Sequence, residues 1–133
     1  MKKFISIASF IAFFLMAFAF HGISQASATA KSNIEVLQFH LQHRCYSCNK
    51  IEELTKETLK SYPGIPFKLY NVEDKKNEKI CGQFEATGSA LFLFNPKTGR
   101  KKELTSSAFM NVGNPEKFTK ELKQQIDEFS KAL

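Results

Sequence analysis

The chain is short and mildly basic: its 133 residues carry 19 Lys and Arg against 13 Asp and Glu, a formal net charge of +6. This length predicts one small domain. Residues 99–103, GRKKE, form the only dense basic cluster, while most other lysines alternate with acidic residues. This charge pattern argues against a nucleic-acid partner.

The first 30 residues predict a secretory signal peptide. They start with MKKF, continue with an uncharged apolar stretch and end in small and polar residues up to Ala30. That order is typical of signal peptides, and the apolar stretch is shorter than the ~20 residues of a bilayer span. We therefore expect a signal peptide at residues 1–30 and a mature domain at residues 31–133, exported to the periplasm or secreted. No stable membrane anchor is expected after cleavage, and an uncleaved anchor is the alternative.

Apolar periodicity predicts a strand followed by a helix at the start of the mature chain. Residues 34–40 are rich in β-branched and aromatic side chains, which favours a strand. A helix is predicted for residues 48–61, with Glu52 and Lys56 four apart on its outer side. The apolar face of this helix consists of Ile51, Leu54 and Leu59. Tyr-Pro-Gly at 62–64 ends the helix, because proline disfavours helical geometry in the residue before it.

Three further strands are predicted in the middle of the chain. Residues 66–72 form a second strand, and a short helix around Cys81 follows. Residues 90–94, ALFLF, are continuously apolar, as expected of a central strand that is buried on both faces. The turn residues at 95–99 then predict a hairpin whose returning strand is at 100–104.

The last helix is the most strongly marked element. Asn114 is suited to cap it and Pro115 fits its first turn. One apolar stripe follows, made of Phe118, Leu122, Ile126, Phe129 and Leu133. Residues 108–110, AFM, are expected to be buried against this helix. The order β-α-β-α-β-β-α predicts an α/β fold with a four-stranded mixed sheet and helices on both faces.

Two cysteines, Cys45 and Cys48, lie between the first strand and the first helix. A Cys-x-x-Cys pair in this position is typical of a dithiol–disulfide redox centre. Unpaired backbone N–H groups and the helix dipole favour a thiolate at Cys45, and Arg44 and protonated His43 add positive charge. We expect Cys45 to attack a sulfur and Cys48, one turn further in, to resolve the mixed disulfide. Cys81 is the odd cysteine and is expected in the core as a small hydrophobic residue.

Other interpretations of the cysteine pair remain open. A zinc site normally needs four ligands, and no second cysteine pair is present, but Cys45, Cys48 and His43 could supply three. A permanent small-loop disulfide would restrain the unfolded chain little. Tyr46, between the cysteines, is expected to be exposed and to contact a partner protein.

The strand, CYSC, the following helix and GSALFLFNPKTGRKKEL together resemble the thioredoxin superfamily, from about Asn33 to the end of the chain. CYSCNKIEELTKETL with TGSALFLF is similar, more narrowly, to a family of small exported thioredoxin-like proteins labelled as a nitrophenyl compound nitroreductase subunit. The resemblance implies a thioredoxin-like fold and a redox-active Cys45–Cys48 disulfide with no other cofactor. It implies exchange with protein thiols or disulfides, or with a dedicated redox partner.

The chain departs from the superfamily pattern beside the cysteine pair. Ser89 occupies the usual place of a cis-proline, so Gly88 and Ser89 are expected to tune the site or contact the substrate. A cis bond before a residue other than proline costs ~2.5–4 kcal/mol, so we expect a trans bond there. Arg44 stands where thioredoxins commonly carry tryptophan. Gln38 or Phe39 replaces the carboxylate beneath the resolving cysteine, which leaves His40, His43 or water for proton transfer.

The sequence thus predicts an exported thiol–disulfide oxidoreductase that acts on a dedicated protein partner. Two other classes of function are the alternatives. One is a metal-binding or metal-delivery module, and the other is a non-catalytic interaction subunit.

Overall fold

A computed structural model describes residues 33–132 of the chain, so the predicted signal peptide lies outside the described residues. No helix within this range is long and apolar enough to cross a membrane. The elements in chain order are β1 (Glu35–His40), α1 (Tyr46–Leu59), β2 (Phe67–Asn71), a 3₁₀ turn (Lys75–Asn77), α2 (Glu78–Phe84), β3 (Ala90–Phe94), β4 (Lys101–Glu103), α3 (Thr105–Asn111) and α4 (Pro115–Lys131).

The four strands form one mixed sheet in the order β2-β1-β3-β4. β1 runs parallel to β2 and antiparallel to β3, and β4 returns antiparallel to β3. The crossover through α1 makes the first pair parallel, and the hairpin after β3 makes the last pair antiparallel. The predicted α/β architecture, a four-stranded mixed sheet with helices on both faces, is confirmed.

Alternation along β1 divides the core between the two faces of the sheet. Val36 points to one face and packs in a cluster with apolar residues of α1, α3 and α4. Leu37 and Phe39 point to the other face and pack with α2. Successive side chains of a strand point to opposite faces, so a single strand supplies both clusters.

The helix α4 covers the first face through the stripe that the sequence predicts. Its buried residues are Phe118, Leu122, Ile126 and Phe129, and Leu133, the last predicted residue of the stripe, lies outside the described residues. The Asn114 side chain caps the helix by accepting a hydrogen bond from the backbone N–H of Lys117 at 3.0 Å. The cap and the apolar stripe fix the start and the orientation of α4.

The second face is closed by aromatic rings around α2. Phe84 packs against Phe92 and Phe94 with ring centroids 5.1 Å and 5.0 Å apart. Cys81 is buried in this cluster, as predicted, and burial raises the pKa of its thiol. Cys81 is therefore a core residue that does not compete with the exposed cysteine as a nucleophile.

The helix α3 was not predicted from the sequence. Its presence contradicts part of the prediction that residues 108–110 are buried. Ala108 is buried, but Phe109 and Met110 are exposed, the latter with 77% of its surface accessible. Successive helical residues are rotated by about 100°, so three in a row cannot all face the core. Burial against the last helix is therefore right for Ala108 alone.

Candidate redox site at the amino end of α1

The site lies where the chain leaves β1 and enters α1. Cys45 is the N-cap residue of α1, with extended backbone angles of φ −71° and ψ 165°. Its sulfur accepts a hydrogen bond from the backbone N–H of Cys48 at 3.4 Å. Because the cysteine itself serves as the cap, the helix starts at Tyr46 and not at residue 48 as predicted.

The two cysteines are free thiols with their Sγ atoms 2.9 Å apart. Cys45 is exposed to solvent, whereas Cys48 is buried with 4% of its surface accessible. A disulfide needs about 2.05 Å between the sulfurs, so a small movement would join them. The pair therefore offers one sulfur to the outside and keeps the other inside the protein.

The pKa of Cys45 is lowered from its ordinary value. The largest cause is the hydrogen bond with the Cys48 side chain, followed by the backbone N–H of Cys48, with the backbone N–H of Ser47 a smaller cause. These donors lie at the amino end of α1, where the helix dipole also favours negative charge. A lowered thiol pKa increases the fraction of thiolate, the nucleophilic form, at neutral pH.

Ser89 is the second hydrogen-bonding neighbour of the buried sulfur. Its Oγ atom lies 3.1 Å from Cys48 Sγ. The peptide bonds of the described residues are all trans, so the expectation of a trans bond before Ser89 is confirmed. Gly88, the residue before Ser89, has open space around its Cα atom, because a Cβ atom built there would meet no heavy atom within 4 Å.

Arg44 is held across the first two turns of α1. Its Nη1 atom pairs with Glu52 at 2.5 Å, and its Nη2 atom donates to the Cys48 carbonyl at 3.3 Å. Burial favours a raised pKa for Glu52, but hydrogen bonds from Lys56 and Arg44 outweigh it, so its pKa is below the usual value. Sequence reasoning missed Glu52 as part of the site, because its spacing from Lys56 indicated a solvent-facing pair.

Gln38, not Phe39, is the β1 residue beneath Cys48. Its Nε2 atom donates to the Cys48 carbonyl at 2.9 Å, and the side chain is 3% exposed. Phe39 points to the opposite face and packs on the rings of Tyr70 and Phe84. The site therefore has a buried amide where the superfamily pattern implies a carboxylate.

The remaining predicted residues lie around the exposed rim. Tyr46 is 80% exposed and His43 is also exposed. His40 Nδ1 lies 2.9 Å from the Leu41 carbonyl oxygen, and within residues 33–132 neither histidine bonds to a sulfur. That range also contains no group of three or more His, Cys, Asp or Glu side chains that could hold a metal. Cys45, Cys48 and His43 are thus not assembled as the metal alternative requires.

No protein-family model matches the chain, and no curated protein matches it significantly. It is similar to a solved structure described as "Structure of a malarial protein", with 20% identity and a TM-score of 0.43 over 61% of this chain and 93% of that one. It is also similar to oxidised mitochondrial thioredoxin 3 from Saccharomyces cerevisiae, with 16% identity and a TM-score of 0.46 over 79% and 83% of the two chains.

Proposed function

We propose that this protein is a thiol–disulfide oxidoreductase in which Cys45 attacks and Cys48 resolves. The asymmetry of the pair carries the proposal. Two free sulfurs lie 2.9 Å apart, one exposed and one buried. The exposed thiol is also the one with a lowered pKa. An accessible thiolate can reach another protein's sulfur, while the buried one can reach only its neighbour.

The exchange reaction has two steps. The Cys45 thiolate attacks one sulfur of a partner disulfide, which forms a mixed disulfide and releases the partner's other sulfur as a thiolate. Cys48 then loses its proton to water and attacks Cys45, so that the Cys45–Cys48 bond forms and the partner's remaining sulfur leaves. The partner is reduced by two electrons and the cysteine pair is oxidised. The reverse sequence oxidises a partner dithiol.

A dedicated protein partner in an exported compartment is the finer part of the proposal. Tyr46, which follows Cys45 in the chain, and Leu41, in the loop before it, are large apolar residues with 80% and 41% of their surfaces accessible. Exposed apolar side chains on a loop-to-helix turn are suited to contact another protein. Export rests on residues 1–30, and the nitroreductase-subunit label rests on resemblance alone, so both stay predictions.

Trapping tests the proposal directly. The Cys48→Ala variant cannot resolve a mixed disulfide, so adducts through Cys45 should accumulate on incubation with proteins of an exported fraction, and dithiothreitol should release them. The matched control is the double variant Cys45→Ala/Cys48→Ala, which retains Cys81 and should form none. Equal adducts in both variants would contradict the role of Cys45. Catalysed reduction of insulin by dithiothreitol provides a second readout that needs no native partner.

A further inference from the structure

The hydroxyl of Ser89 contacts the buried half of the cysteine pair. Ser89 directly precedes β3, and the register of the sheet pairs Ala90 with Phe39 near the end of β1. This placement brings Ser89 Oγ to 3.1 Å from Cys48 Sγ. Among the described residues, Cys48 Sγ has two hydrogen-bonding neighbours, the other being Cys45 Sγ.

The polar groups around Cys48 divide into two sets. Gln38 and Arg44 both donate to its backbone carbonyl, at 2.9 Å and 3.3 Å. Neither of these two side chains bonds to the sulfur. Ser89 is therefore the residue outside the cysteine pair that offers a donor to Cys48 Sγ within residues 33–132.

A buried sulfur that becomes charged needs such a donor. Cys48 has 4% of its surface accessible, so water solvates its thiolate poorly. A hydrogen bond to a charged acceptor is stronger than one between neutral groups. The bond from Ser89 would thus strengthen at the moment when negative charge develops on Cys48, as a group that accelerates the reaction must do.

We propose that Ser89 is a catalytic hydrogen-bond donor for the resolving step, an inference that rests on the proposed function. As Cys48 gives its proton to water and attacks Cys45, the Ser89 hydroxyl donates to the developing thiolate. The Cys45–Cys48 bond then forms, and the bond between Cys45 and the partner breaks. In the reverse direction a partner thiolate attacks Cys45, and Cys48 leaves as a thiolate towards the same hydroxyl.

The two phases of reaction with the chromogenic disulfide 5,5′-dithiobis(2-nitrobenzoate) isolate this step. Attack by Cys45 releases a first coloured thiolate, and closure by Cys48 releases a second. In Ser89→Ala the first phase should be unchanged, while the second should slow by about tenfold or more at neutral pH. Ser89→Thr keeps a hydroxyl and should restore most of the rate.

Controls separate hydrogen bonding from packing. Ser130→Ala removes a hydroxyl whose hydrogen-bond partner within residues 33–132 is the Ile126 carbonyl of its own helix, and it should leave both phases unchanged. An unaltered second phase in Ser89→Ala, or equal slowing in the Ala and Thr variants, would overturn the inference while the first phase upholds the proposed function. Absence of the first phase in the unsubstituted protein would overturn both.

Discussion

Gln38 donates its side-chain amide to the Cys48 carbonyl at 2.9 Å from the strand beneath the first turn of α1. The other atom of this amide, Oε1, is buried and has no hydrogen-bond partner among the described residues. An amide cannot take up or release a proton at this position. In the proposed mechanism Cys48 therefore exchanges its proton with solvent, and the Ser89 hydroxyl lies 3.1 Å from its sulfur.

Introducing a carboxyl group beneath the cysteine pair should make the stability of the protein depend on pH. In Gln38→Glu, burial raises the pKa of the new carboxyl in the folded protein, because the charged form is poorly solvated there. The energetic cost of burying the charged carboxyl is absent below about pH 4.3, the pKa of this group in the unfolded chain. The cost grows as the pH rises through the higher pKa of the folded protein. At neutral pH we expect a loss of about 1–3 kcal/mol in the free energy of unfolding.

Urea unfolding across this pH range measures the effect. Gln38→Leu removes the same hydrogen bond without introducing an ionisable group, so its difference from the unsubstituted protein should be constant with pH. Stability curves that run parallel for the Glu and Leu variants would show that the carboxyl is not forced to remain protonated.

The lowered pKa of Cys45 predicts rapid alkylation at neutral pH. With iodoacetamide, the rate at Cys45 should rise with pH to a plateau whose midpoint lies below that of an ordinary thiol, and should fall as the pH drops through it. The largest cause of the shift is the Cys48 side chain, so Cys48→Ala should move the midpoint upwards. Peptide mapping by mass spectrometry assigns the reaction to Cys45. An unchanged midpoint in Cys48→Ala would mean that the Cys48 side chain is not the main cause of the lowered pKa of Cys45.

Local sequence signals were sufficient to predict that the cysteine pair lies between the first strand and the first helix. They also predicted most of the strands and helices. ALFLF at Ala90–Phe94 is a strand with the predicted bounds, because a continuous apolar run between turn residues has few other solutions. Cys45 and Cys48 lie at the predicted junction between strand and helix. These features depend on residues that are close together in the chain.

Contacts between distant residues could not be predicted in the same way. Ser89 and Cys48 are 41 residues apart, and their contact depends on the register of β3 against β1. The contact of Arg44 with Glu52 spans the start of α1, which apolar spacing placed two residues too late. The short helix α3 has too few turns to produce a recognisable apolar period.

The Arg44–Glu52 pair should stabilise the protein at neutral pH but not in acid. The pKa of Glu52 is lowered in the folded protein although burial opposes this. Glu52 therefore stabilises the fold at a pH above its pKa in the unfolded chain, and this stabilisation is lost as the pH falls through its lower pKa in the folded protein. Glu52→Gln should reduce the free energy of unfolding by about 0.5–1 kcal/mol near neutrality, since the pair is partly solvated. Below about pH 4 the difference from the unsubstituted protein should shrink towards zero.

The matched control for this pair is Glu57→Gln. Glu57 forms an ion pair at the end of α1, with the C-cap residue Lys60 at 2.5 Å, but both side chains are largely exposed. Exposed pairs contribute little, so near neutral pH this variant should change stability less than Glu52→Gln. Equal losses of stability in the two variants would mean that the contact of Glu52 with Arg44 contributes no more than an exposed ion pair does.

Tyr46 should matter for protein partners and not for the chemistry of Cys45. Its side chain is 80% exposed and follows Cys45 in the chain, so a docked protein would bury an aromatic ring there. Tyr46→Ala should slow exchange with a protein disulfide by about tenfold, while the first phase with the small chromogenic disulfide stays unchanged. Met110→Ala, at a 77% exposed residue on α3, is the control and should alter neither rate. An equal loss with both substrates would instead assign Tyr46 to the reactivity of Cys45, because only docking distinguishes a protein from a small disulfide.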